Sequence, residues 1–139
     1  MNNLLTWGKY VIASVGTGLS YFLGVWDTPL RVLVCFMVLD YMTGLLKAFV
    51  NKTVSSDTGL RGIARKSVIL VVLIVGVLLD RVINNDNWTF RTMICYFYMA
   101  NEGISLLENC SALGLPIPEK IKNALIQLKG HEVKEEEEV

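Results

Sequence analysis

The sequence predicts an all-α, polytopic integral membrane protein: four transmembrane helices, or three if the first lies in the interface, plus a short C-terminal amphipathic helix. Three observations predict it. Of 139 residues, 53% are apolar and only 19% charged, with a mean hydropathy of +0.45. Four apolar runs follow one another, and the basic residues gather in alternate connections between them. A water-soluble helical domain of this size would instead carry a polar face on each helix.

A helix needs about 20 residues, within a range of about 17–25, to cross a hydrocarbon core about 30 Å thick. The first run, Tyr10 to Trp26, holds no charge and gives a span at about 10–26. The second, Leu30 to Val50, carries Arg31, Asp40 and Lys47 and gives a span at about 30–50. The third begins at Ser67 and continues through Asp80-Arg81 to Ile83, a span at about 66–83. The fourth, Phe90 to Leu107, holds Arg91, Asn101 and Glu102, a span at about 89–108. Together they form a membrane domain over residues 1–115.

Turn chemistry separates the runs. Asp27-Thr28-Pro29 places capping side chains before a proline suited to a first helical turn. Thr53 to Gly62, with Ser55, Ser56, Asp57 and two glycines, reads as a loop. Asn84 to Asn87 reads as a tight polar turn, and Gly114 with Pro116 and Pro118 as a helix stop. Residues 116–130 then form a cytoplasmic amphipathic helix. Ile121, Ala124, Leu125 and Leu128 share one face, Lys120, Lys122 and Lys129 point elsewhere, and Gly130 caps the end. Such a helix lies on a membrane surface or packs on a partner. Residues 131–139, with five glutamates, form a disordered acidic tail.

The tail hides a surplus: formal net charge is zero, yet residues 1–130 hold 12 basic and 8 acidic side chains. Cytoplasmic segments are enriched in Lys and Arg. With both termini in the cytoplasm, ten basic residues lie inside and three outside. Trp7, Tyr10, Trp26 and Trp88 sit at span ends, as an aromatic belt requires. No small-x-small cleavage site precedes Trp26, so a cleaved signal peptide is not expected.

Asp40 and Glu102 are the most informative side chains. Each falls near the middle of its run, and spans two and four point the same way. A charge at mid-membrane costs about 2.5–3.5 kcal/mol on insertion scales. No basic residue is expected at that depth, so the two carboxyls need hydrogen bonds, water or a neighbouring subunit. Tyr41, Thr43, Tyr96, Tyr98 and Asn101 are candidate donors. Asp80 and Arg81 are expected to reach headgroups or water. Gly16, Ser20 and Gly24 recur every fourth residue and predict a small-residue packing face, either between subunits or within one. Cys35, Cys95 and Cys110 fit no zinc signature and read as reduced, buried, inert thiols. There is no nucleophile–base pair, phosphate loop or His/Cys ligand set, so no catalytic, cofactor or metal site is expected, and no enzyme. The basic residues lie between apolar runs rather than on one face, which gives no support to nucleic-acid binding.

Four segments in series resemble the toxin-secretion/phage-lysis holin family of Gram-positive bacteria and their phages. They are Asp40-Tyr41-Met42-Thr43-Gly44; Ser55-Ser56 with Gly59-Leu60-Arg61-Gly62-Ile63-Ala64-Arg65-Lys66; Asn101 through Asn109; and Gly114-Leu115-Pro116-Ile117-Pro118. The resemblance implies a holin: a subunit that forms a large homo-oligomer in the bacterial cytoplasmic membrane and opens lesions. A murein hydrolase (endolysin) or a large secreted toxin passes through them. It implies no catalytic residue, and it marks Asp40, Gly44, Asn101 and Glu102 as positions of interest; with Tyr41 these are the pore or interface candidates. Two other classes stay open on the residues alone. One is a small-solute or ion channel or transporter subunit; the other is a membrane anchor or scaffold for a cytoplasmic partner.

Overall fold

The computed structural model describes residues 2–84 and 86–136, with side chains over residues 3–84 and 86–128. The described residues form five helices and no strand: α1 (Asn2–Leu23), α2 (Thr28–Val50), α3 (Ser56–Val82), α4 (Thr89–Ala112) and α5 (Glu119–Glu136). By length and composition, α2 and α3 are long and apolar enough to cross a membrane, and α1 and α4 do not reach that mark. Most of the apolar surface of α2 and α3 faces outward, Val38, Met42, Phe49, Val68, Val71 and Val75 among it. The core helix of a water-soluble protein would bury such residues.

Helix ends follow local chemistry. Asp27 accepts from the Leu30 N–H at 3.2 Å and Pro29 sits in the first turn, so α2 starts where its cap predicts. Ser55 and Thr58 form a reciprocal capping box, each side chain bonded to the other's backbone N–H at 3.2 Å. This box corrects the loop expected over Thr53 to Gly62. The helix begins at Ser56, and Gly59 and Gly62 lie within it. Both serve packing instead: a Cβ at Gly62 would come within 3.1 Å of the Tyr41 ring of α2. α4 stops where expected, with Gly114 left-handed (φ +89°) and the Gly114 and Leu115 N–H groups bonded to Ser111 and Cys110 carbonyls.

α1 ends earlier than the expected span at 10–26. Gly24 is left-handed (φ +77°) and lies past the helix end, so it leaves the Gly16–Ser20–Gly24 stripe. Ser20 accepts from the Trp26 indole at 3.1 Å, and a Cβ at Gly16 would meet nothing within 4 Å.

α2 and α4 run parallel and share the most extensive interface, with α3 antiparallel between their ends. The buried core is Leu23, Leu30, Leu33, Met37, Ile69, Leu73 and Cys95. Cys35 instead faces outward, Cys110 is half-buried, and none of the three thiols is bridged. Gly76 of α3 faces the start of α4, where a Cβ would meet Ile94 Cδ1 at 2.5 Å and Arg91 backbone at 3.3 Å. Membrane helices pack through such small residues, since lipid supplies little hydrophobic drive between them. Gly76→Ala is therefore expected to destabilise the fold by about 1–3 kcal/mol through overpacking. A lowered thermal midpoint in detergent, with Gly16→Ala unchanged, would bear this out.

α5 turns back and packs on α4. Leu125 is buried there against Gly103. Thus the amphipathic helix finds its partner within its own chain. It also continues past Gly130 to Glu136, because glutamate and lysine are good helix formers. This replaces the disorder expected from residue 131, while residues 137–139 of that tail lie outside the described residues.

Candidate functional site: a three-helix ionic clasp

Asp40 on α2, Lys66 on α3 and Glu102 on α4 converge. The Lys66 ammonium donates to Asp40 Oδ2 at 2.9 Å and to Glu102 Oε2 in a still closer contact. Glu102 is 1% exposed, Asp40 13% and Lys66 15%. Asn109 of α4 completes the cluster, its amide donating to Asp40 Oδ1 at 3.0 Å. The pairing overturns the expectation that no cation stands opposite the two carboxyls. Starting α3 at Ser56 puts Lys66 ten residues, about 15 Å, inside a helix rather than at its mouth.

One lysine serves two carboxylates, so the clasp as a fully ionised set carries a formal charge of −1. A buried charge pair costs desolvation that only good geometry and further hydrogen bonds offset. A cavity of about 200 Å³ lies beside it, lined by Asp40, Tyr41, Gly44, Thr58, Arg65, Lys66 and Asn109 among others. Such a volume between polar groups is roomy enough for several waters.

The structure brings together Asp40, Glu102, Tyr41 and Gly44. Tyr41 packs on Gly59 and Gly62, and Gly44 lies 3.5 Å, from a Cβ position, from the Asn109 amide. Asn101 is half-buried on α4, Thr43 bonds its own helix at Leu39 and Asp40 carbonyls, and Tyr96 is exposed. None of these three supplies the hydrogen bond predicted for a carboxyl; Asn109 and Lys66 do. Lys66 shares a helical face with Gly59 and Gly62, at i, i+3 and i+7, and that spacing was the signal available for finding it.

A second polar knot closes the opposite end. Arg91, 1% exposed, donates from Nε to the Leu23 carbonyl at 2.8 Å and from both Nη groups to the Asp27 carboxylate at 2.8 and 3.0 Å. It also reaches the Val25 carbonyl. Asp80, equally buried, accepts from the Phe90 and Arg91 N–H groups at 3.1 and 2.9 Å. Asp80 therefore caps α4 from the preceding helix, in place of Trp88, which is left-handed and makes no side-chain cap. It is thus not directed to headgroups or water. Arg81 is held over the Tyr21 ring, 4.3 Å from its centroid, and donates to the Tyr21 carbonyl.

The Arg91 guanidinium, hydrogen-bonded to Asp27, holds that carboxyl below its ordinary value of 3.8. A lowered folded-state value stabilises the fold above the ordinary carboxylate range and is lost as pH falls through it. Wild type is expected to exceed Asp27→Asn in thermal stability at neutral pH, with the gap closing below about pH 4. A constant gap from pH 7 to 3 would contradict it.

Residues 17–130 match the family described as the Bacteriophage holin family. A Clostridium perfringens protein, the "Uncharacterized 14.9 kDa protein in nagH 3'region", is 54% identical over 128 residues, 92% of this chain and 97% of the relative. A Listeria monocytogenes protein is 38% identical over 118 residues, covering 85% and 84%. The "Probable holin" of Bacillus phage phi105 is 34% identical over 97 residues, covering 69% and 70%. No solved structure matches. With a family match that runs from within α1 into α5, and with two membrane-length apolar helices at its centre, the chain is a membrane protein that belongs to the bacteriophage holin family.

Proposed function

We propose that the chain is a holin. It accumulates in the bacterial cytoplasmic membrane, associates into a large homo-oligomer and opens lesions that release a murein hydrolase (endolysin) or a large toxin. α1 and α4 cross beside α2 and α3, with both termini in the cytoplasm. The ten-to-three division of basic residues supports that topology. Three of the polar residues that lower the hydropathy of α4, Arg91, Glu102 and Asn109, bond to neighbouring segments, so these groups do not need to meet lipid alone.

The observation that carries the reading is the clasp. Asp40 and Glu102, neutralised in part by Lys66, let one subunit stay closed among lipids. The same three charges favour water over hydrocarbon once an assembly supplies a wet face. Opening then exchanges one internal ion cluster for hydrated side chains on α2, α3 and α4.

Induced expression in bacteria with and without a co-expressed muralytic enzyme tests this. Abrupt loss of membrane potential is expected in both cultures, and lysis only with the enzyme. Potential loss without enzyme release would mark a small-solute channel. Intact potential in both would mark an anchor or scaffold.

A further inference from the structure

Resting on the holin reading, we infer that α5 is a strap that covers the clasp-bearing helix and must lift before subunits assemble. Three observations carry it. The Gly114 turn sends the chain back along α4, and among the described residues α4 is the helix whose backbone α5 approaches. Its hold is a single knob in a hole: Leu125 is the one buried residue of the described α5 side chains, and it seats on Gly103. A Cβ there would touch both Leu125 Cδ atoms and Phe36 of α2 at 3.0 Å. Nearer the turn the two helices part around a cavity of about 200 Å³ lined by Ile104, Leu107, Glu108, Ser111, Ile117, Glu119 and Lys122.

Glu108 and Lys122 face this cavity without an ion pair joining them. The contact is therefore tight at one point and loose along the rest. Void space forfeits dispersion contacts, so the stretch nearer the turn adds less to the hold than the Leu125 seat does. Lifting α5 bares Gly103, Ile104 and Leu107, a small-and-apolar strip beginning one residue from Glu102. Such a strip suits close approach by the same helix of a second copy.

Two substitutions in the full-length chain should act in opposite directions. Leu125→Asp removes the knob and is expected to cut the lag between induction and potential collapse to about half or less, by shifting the population toward the lifted state. Ser111→Val narrows the cavity and is expected to lengthen the lag. A readout independent of lysis is thiol labelling of Cys110, which follows Gly103 by two turns on the same face. Peptide mapping should show it labelled several-fold faster in Leu125→Asp membranes and slower in Ser111→Val. Unchanged labelling in both variants, or the same lag in both, overturns the strap. If Leu125→Asp fails to accumulate, the Ser111→Val result decides alone. A wild-type chain that never collapses the potential refutes the holin reading instead, while the labelling still tests the strap.

Discussion

Lys66→Met is expected to be among the most damaging single changes in the protein, at about 3–5 kcal/mol, the range seen when one partner of a buried ion pair is removed. Glu102 is 1% exposed and would lose the ammonium bonded to it, while Asp40 would retain only the Asn109 amide. The check is the thermal midpoint in detergent together with the amount recovered in membranes. Restoring charge balance should rescue the loss: Lys66→Met combined with Asp40→Asn and Glu102→Gln is expected to be far more stable than Lys66→Met alone. A triple variant no better than the single one would show that Lys66 acts by packing rather than by charge.

The single carboxylate changes should behave differently. Asp40→Leu leaves Lys66 paired with Glu102, and Glu102→Leu leaves it paired with Asp40. Each keeps one neutral pair, so insertion should be preserved. Each also removes a group that needs water when the assembly opens, so permeabilisation should be delayed or abolished. Wild-type lysis timing in both variants would remove the role given to these residues.

The second large effect belongs to Arg91. Arg91→Leu is expected to cost about 1–3 kcal/mol, because it leaves the buried Leu23 carbonyl without its side-chain donor and removes the fork on Asp27, which is 36% exposed and keeps the Leu30 N–H. Arg91→Lys should recover only part of this, since an ammonium cannot reproduce the planar fork on Asp27 and the reach to Leu23 and Val25 together. Gly24→Ala should damage the same knot. It adds a side chain at φ +77°, and its Cβ would stand 2.8 Å from Arg91 Nε. Equal midpoints for Arg91→Lys and wild type would argue that the bidentate geometry is immaterial.

The two knots show what kind of feature escapes a linear reading. Asp27, Pro29 and Gly114 were legible because a cap or a stop acts on its own neighbours. Asp40 and Glu102 were legible as costly charges in apolar runs. Their partner was not, because glycine and serine around residues 55–62 imitate a loop. The Ser55–Thr58 box reverses that local signal, and with it the depth of Lys66. Gly24 misled for a related cause. Its spacing from Gly16 and Ser20 fits a helical stripe, but its missing side chain answers to Arg91, 67 residues away in the chain.

By itself, then, the sequence determined the helical class, the order of the apolar segments, the ends set by Asp27, Pro29 and Gly114, and the two costly acidic residues of the candidate site. Those properties follow from composition, periodicity and neighbours within a few residues. Only the tertiary structure decided which cation meets those acids, that Asp80 caps a helix it does not belong to, and that α5 folds back on α4. Each of these depends on groups brought together from distant parts of the chain. Their energies come from desolvation and fit at the contact, and neither quantity is encoded in local spacing.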